Sequence, residues 1–279
     1  MPTVHSERRG ELHLGKTAPK PIENTVPYSD LRKCLVAAGV TLPKPPTVFG
    51  HGDDFTGTEW LMLGNGPDDT VFPGFQGCGD CAWAGPAHEE KESAKNAGRA
   101  MPQFSGKTVV AQYSAYSGYD PQTGTNDNGS AIADVIKWRQ DKGIYDDTGT
   151  VYKIGRAVSL TPGNLAELWE AAFLFECAGI GIQVPASVMQ QFDAGQPWSY
   201  VKGSPIEGGH YIPVIGKLEL VSWAETVKFT DGFYEHYNDE TVCYLDNERY
   251  NAVTGETAEH YSHQDLEKYL VLIAQAKLG

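Results

Sequence analysis

Apolar residues along the chain change their spacing near Cys177. Before that point they recur at helical intervals. A helix is predicted from Cys81 to about Ala97, ending before Gly98, with Pro86 inside it to kink it or confine its first turn. From Ser130 to Asp141, the residues Ile132, Val135, Ile136 and Trp138 share one face, and Gly143 ends the run. A further helix starts near Asn164, with Leu165, Leu168, Trp169, Ala172 and Phe173 as its apolar stripe. Beyond Cys177, the stretches GIGIQVPA, HYIPVIG, LELVSWAETVKF and TVCYL read as strands. Ser262 and Asp265 then resemble a capping pair for a last helix, with Leu266, Leu270 and Ile273 on one face. Helices followed by strands predict an α+β class.

Residues 1–48 read as an arm. Pro19, Pro21, Pro27, Pro43, Pro45 and Pro46 interrupt it, leaving one helix from Ser29 to Ala38. An arm of this kind suits a propeptide, a clamp over the body or a docking strap to a partner. Residues 49–80 are rich in Gly, Asp and Pro and predict loops with one strand at Glu59 to Leu63. Tyr119 to Gly129 is turn chemistry.

The 279 residues suffice for one large core or two modest ones, and a single enzyme-sized unit is expected. With 6 Trp, 14 Tyr and 10 Phe, general disorder is excluded. A formal net charge of −14 repels phosphate backbones, so nucleic acid is not the expected partner. No stretch approaches the ~18 apolar residues of a membrane helix. The opening MPTVHSERRGELHLG lacks the apolar run of a secretory signal. A cytoplasmic, reduced location with five free cysteines is expected, with a virion as the alternative.

Cys81 stands where a Gly- and Asp-rich loop meets a helix. Free N–H groups and the dipole at a helix start favour a thiolate, and the same N–H groups can hold an oxyanion. Cys81 is thus a candidate nucleophile. Two other readings stay open at this point: a buried small hydrophobe, or half of a Cys78-Gly79-Asp80-Cys81 redox pair without the βαβ context such pairs have. No second Cys/His pair has zinc spacing, so no metal and no cofactor is expected. Among the histidines, His88 lies two helical turns from Cys81, about 10 Å away and too far for a direct hydrogen bond. His5 and His13 fall in the arm, and His51 is a weaker loop candidate. His210 opens an apolar strand after Gly208 and Gly209, whose small size lets another backbone approach.

Taken together, these segments resemble the papain family of cysteine peptidases. Gly77-Cys78-Gly79-Asp80-Cys81 is similar to the family's Q-G-x-C-G-S-C-W, with Asp80 in place of Ser. His210 with Gly216 resembles its H-A-V-x-x-V-G strand. Asn128-Gly129-Ser130 and the following helix resemble its C-x-G-G segment, and Ser222-Trp223 the S-W of N-S-W-G. The likeness covers about residues 70–245, in order. The G-D-C, the N-G after a Y-D-P turn and the G-G-H strand look like a divergent bacterial and phage branch. The resemblance implies a two-lobed fold: a helical lobe at about 70–155, then an antiparallel β-barrel-like lobe at about 156–250, with residues 251–279 as a helical extension.

By the same resemblance, Cys81 is the nucleophile, His210 its base and Gln76 an oxyanion donor, although Gln76 lies five residues before Cys81 and not six. Val221 stands where the family has the Asn that orients the histidine, so Ser222 or a backbone carbonyl must hold the imidazole. Ala82 follows Cys81 where the family has Trp, with Trp83 one place along. Gly129, Ser130, Gly209 and Trp223 are expected to line the substrate cleft. The implied function is hydrolysis of a peptide or amide bond. The alternatives are a catalytically weak or inactive structural protein of an assembly, docking through the arm and the last helix, and a C-x-x-C redox protein.

Overall fold

The computed structural model describes residues 1–23, 25–39, 42, 44–47, 60–246, 253–254, 256, 268 and 271, with backbone only at 245 and 246. His51, residue 59 and the expected helix after Ser262 lie outside the described residues, apart from 268 and 271.

The first elements are short strands β1 (Thr3–Ser6) and β2 (Gly10–His13), an antiparallel hairpin in the segment expected to be an irregular arm. Alternation of buried Val4 and Ser6 with exposed neighbours gives β1 one covered face. Strand β3 (Val26–Pro27) leads into helix α1 (Tyr28–Ala37), which buries Tyr28, Leu31 and Leu35 at helical spacing. Residues 60–63 form loop and turn, not strand.

Helix α2 (Cys81–Asn96) is the central helix, with almost every side chain buried, including Glu89, Glu90 and Glu92. Arg139, fully buried on α4 (Ile132–Asp141), reaches Glu89 at 2.9 Å and Glu90 at 2.7 Å, so the buried charges are paired. Between these helices runs α3 (Gly106–Ser117), which the sequence pattern did not predict. Its start is capped by the Ser105 hydroxyl, and it ends on Gly118 at φ +74°. Residues of α2, α3 and α4 form one apolar core with Leu63, Phe75, Phe104 and Tyr119.

A short β4–β5 pair (Ile144–Tyr145, Val151–Tyr152) precedes β6 (Ile154–Leu160), helix α5 (Leu165–Phe175), β7 (Ala178–Pro185) and helix α6 (Ser187–Asp193). Then come β8 (Ile206–Gly216), β9 (Glu219–Ser222), β10 (Glu225–Lys228), helix α7 (Asp231–Tyr237) and β11 (Asn238–Asp246). The main sheet runs β10-β9-β8-β7-β11-β6-β3 and is antiparallel except at β3–β6. It is a largely antiparallel sheet with β10 and β3 as edges, and it does not close into a barrel among the described residues. A second core joins this sheet to α1, α5, α6 and α7.

Two strand assignments change in ways that affect the site. Strand β8 begins four residues before His210, so that residue lies inside a strand and not at its mouth. The run LELVSWAETVKF is a hairpin, not one strand: Trp223 and Ala224 take positive φ values of 50° and 64° and turn the chain between β9 and β10.

Candidate active site

Cys81 is the first residue of α2, where backbone N–H groups lack intrahelical partners. The helix is delivered onto β8 by Gly85: a Cβ there would stand 2.4 Å from the Tyr211 ring. Tyr211 is fixed beneath α2 by short hydroxyl contacts to Glu89 and by Tyr244 at 2.8 Å. Its backbone faces the Cys81 sulfur.

His210, the residue before Tyr211 on β8, turns its ring to the β9–β10 turn. Its Nε2 lies 2.9 Å from the Ser222 hydroxyl, and its ring stacks on Trp223 at 4.8 Å and 17°. The β9–β10 turn supplies both partners. Ser222 thus holds the His210 ring from one side, and the neighbouring Val221 is apolar and buried. His210 Nδ1 is buried without a hydrogen-bond partner, so no such bond joins it to Cys81 in this conformation.

Both groups are uncharged here. Burial pushes the Cys81 thiol up to about 11, against the opposing effect of the backbone at Tyr211 and Gly15. Burial pushes His210 down to about 3. Burial thus works against a thiolate–imidazolium pair, the activated form of such a site, in this closed state. Asp80 is likewise raised well above the carboxylate range by burial and by the nearby Asp127 and Asp68. The C-x-x-C partner Cys78 is a free, buried thiol, raised by burial and by Asp80.

What covers the site is the chain's own amino-terminal segment. After β2, Leu14 to Thr17 passes between the helices and the sheet. Ser130 N–H donates to the Gly15 carbonyl at 2.8 Å, and Thr17 N–H donates to the Ser130 carbonyl at 3.0 Å. On the other side, Lys16 N–H donates to the Gly209 carbonyl at 3.0 Å. The segment thus pairs parallel with Ser130 and antiparallel with Gly209. Glycines make this passage narrow. A Cβ on Gly15 would lie 1.9 Å from the Gly79 carbonyl oxygen, one on Gly129 2.2 Å from the Gly15 oxygen, and one on Gly209 2.3 Å from the Lys16 oxygen. Ser130 is itself held by the Trp83 indole N–H at 3.0 Å.

The hairpin before this segment grips both sides. Ser6 and the Glu7 N–H bond to Asp193, and Arg8 and Arg9 ion-pair with Glu225. On the helical side, His13 N–H donates to the Asn65 carbonyl at 2.9 Å, and the His13 ring lies 3.8 Å from Asp127. The Asp127 carboxylate also accepts from the Gly79 N–H at 2.9 Å and the Tyr113 hydroxyl at 2.7 Å.

Gly129, Ser130 and Gly209 thus line a peptide-width groove, and Cys81 stands at its floor. Two expectations differ. Gln76 is exposed and its amide donates to the Gly74 carbonyl at 2.9 Å, because the five-residue spacing leaves Phe75 and not Gln76 buried beside the loop. Trp223 is 1% exposed and packs on Phe192 and Trp198, so it backs the imidazole and does not line the groove. His88 is a packing residue, edge-on to Trp60 and pushed by burial down to about 3. Sequence reasoning missed Gly15 and Lys16. The alternation of Leu12 and Leu14 in GELHLG was the strand signal that marked the approach to them.

No protein-family profile and no curated protein matches the chain. Solved structures do. Xylellain, a cysteine protease from Xylella fastidiosa, superposes with a TM-score of 0.53 at 13% identity, over 85% of this chain and 97% of that one. Procathepsin B S9 from Trypanosoma congolense gives 0.53 at 11% identity, over 84% and 87%. The chain therefore has the α+β fold of the papain-like cysteine proteases.

Proposed function

We propose that this protein is a papain-like cysteine hydrolase of peptide or amide bonds, held closed in this conformation by its own amino-terminal segment. The observation that carries the reading is the extended backbone of Gly15 and Lys16, bonded between Ser130 and Gly209 above Cys81. A groove that takes this backbone by main-chain pairing takes a substrate strand in the same way. The G-D-C, Y-D-P and G-G-H features favour a kinship with the divergent bacterial and phage branch of the fold.

When the segment leaves, water returns to the site and the penalty on both charged forms falls. His210 then takes the Cys81 proton, and sulfur attacks the carbonyl carbon. The oxyanion rests on N–H groups at the start of α2. The C–N bond breaks as His210 returns the proton to the leaving amine. Water, deprotonated by His210, then cleaves the thioester and regenerates the thiol. Ser222 and Trp223 hold the imidazole through these steps.

Gly15→Leu in the full chain tests this. Its side chain meets the Gly79 backbone and expels the segment. Iodoacetamide is expected to label Cys81 faster in this variant than in the parent. Hydrolysis of a fluorogenic peptide amide is expected to appear, and to vanish with Cys81→Ala or His210→Ala. Rapid labelling with no hydrolysis of any peptide in a broad library would refute the reading. It would favour a structural protein on this fold, to which the uncharged Cys81 and His210 of the closed form also conform.

A further inference from the structure

Lys16 is an unusual residue to find in the middle of this groove. Its side chain is fully buried, with Nζ 2.9 Å from Asp239 and 3.3 Å from Glu240. Burying an ammonium is costly unless it is paired, and here two carboxylates meet it. Gly181 opens the space: a Cβ there would stand 2.2 Å from Lys16 Cε. Gln183 donates to Asp239 and holds that carboxylate in place. Asp239 and Glu240 begin β11, and Gly181 and Gln183 lie on the paired β7, so rigid sheet elements build the pocket. Glu240 is 8% exposed, and its carboxylate oxygens have no hydrogen-bond partner apart from the ion pair with Lys16. Without a cation this pocket would set two carboxyls side by side, and burial and Asp239 already push the Glu240 carboxyl up.

We infer that the pocket of Gly181, Gln183, Asp239 and Glu240 selects a lysine or arginine side chain in the substrate, at the residue next to the one whose peptide group meets Cys81. This rests on the hydrolase reading for its catalytic consequence, while the cation selectivity stands on the pocket alone. Lys16 occupies the pocket as the tethered counterpart of that side chain. The acidic pair supplies the charge, and the missing Cβ at Gly181 supplies the length a long basic side chain needs.

Two measurements test it on the full chain. In the Gly15→Leu protein, an internally quenched alanine peptide with one central Arg is expected to have at least a tenfold higher kcat/KM than the same peptide with a central Leu. That ratio is expected to fall towards one on adding Asp239→Asn and Glu240→Gln. A ratio near one in Gly15→Leu itself, or a preference indifferent to the two amides, overturns the inference. The second measurement needs neither catalysis nor the Gly15 variant. In the otherwise native chain, Lys16→Leu is expected to speed iodoacetamide labelling of Cys81 severalfold, and Lys16→Arg to leave it close to the parent rate. In the Asp239→Asn, Glu240→Gln background the difference between Leu and Arg is expected to disappear. Equal labelling of the Leu and Arg variants in the native background overturns the inference even if peptides are cleaved. Loss of hydrolysis alone, with the labelling difference intact, overturns only the proposed reaction.

Discussion

His210 and Ser222 lie twelve positions apart in sequence and 2.9 Å apart in space, joined because β8 and β9 pair and the turn at Trp223 follows at once. A hydroxyl is shorter than an amide side chain, but the hairpin brings it close enough. Ser222→Ala removes that bond while leaving the Trp223 stack. In the opened protein the change is expected to lower kcat by about tenfold, the worth of one hydrogen bond of roughly 1–1.5 kcal/mol. Ser222→Thr keeps the hydroxyl and is expected to restore most of the rate. A positioning role also shifts the acid limb of the pH–rate profile, which a purely structural defect would leave unmoved.

The glycines of the groove make a second expectation. Gly129 has φ +68° and touches the Gly15 carbonyl from the helical side. Gly129→Ala strains the turn and narrows the groove itself. It should expel the amino-terminal segment and so raise the labelling rate of Cys81, yet peptide hydrolysis should stay low, because a substrate strand meets the same methyl group. In Gly15→Leu both readouts rise. Parallel behaviour of the two variants in both assays would contradict the shared-groove account.

Acid is expected to loosen the hairpin. Burial raises the Asp127 carboxyl, but the surrounding His13, the Tyr113 hydroxyl and the Gly79 N–H outweigh it, and the net displacement is downward. Asp193 is also lowered: its slight burial acts upward and is outweighed by Ser6 and the backbone of Glu7 and Arg8. Both folded values lie below the unfolded ones. Their contribution is therefore complete above the ordinary carboxylate range and is lost as pH falls through the lowered values. Hydrogen exchange at residues 3–16, corrected for intrinsic rates, should rise as pH falls below the ordinary carboxylate range before that of β7 and β8 does. Asp127→Asn should remove part of the pH dependence.

The core offers a test unrelated to catalysis. Arg139 pairs with two buried carboxylates and stacks on the Tyr244 ring at 4.5 Å. Arg139→Met leaves Glu89 and Glu90 in an apolar interior without their cation. A loss of about 3–5 kcal/mol is expected, read as a lower denaturant midpoint. Adding Glu89→Gln and Glu90→Gln should recover much of it.

Much of the molecule was legible from spacing. Cys81 at a helix start, Asn164 capping α5 and the apolar run of β7 all follow from local chemistry, and the structure places helices and strand there. Helix α3 was not legible, since GKTVVAQYSAYS mixes β-branched and polar residues and is stabilised by tertiary packing of Val109, Val110 and Tyr113. The β9–β10 turn was missed because Trp223 and Ala224 are poor residues for positive φ, and the Trp223 ring packing between His210, Phe192 and Trp198 overrides that preference. Within the site, the contact of His210 with Ser222 was legible from the S-W segment that follows Val221. The Lys16 pocket was not, because residues 16, 181 and 239 meet only after the sheet and the amino-terminal segment have assembled.

Because the occupant of the groove is joined to its floor by the polypeptide itself, any free ligand competes against an intramolecular neighbour. Such tethering corresponds to a local concentration on the order of millimolar. A peptide with equal intrinsic affinity, offered to the intact protein at micromolar levels, would leave almost no trace in a binding screen. The exposed stretch Ala18–Pro21, directly after the occupant, is the place where one chain scission would turn this self-competition into ordinary dissociation, making the response to outside ligands depend on protein dilution.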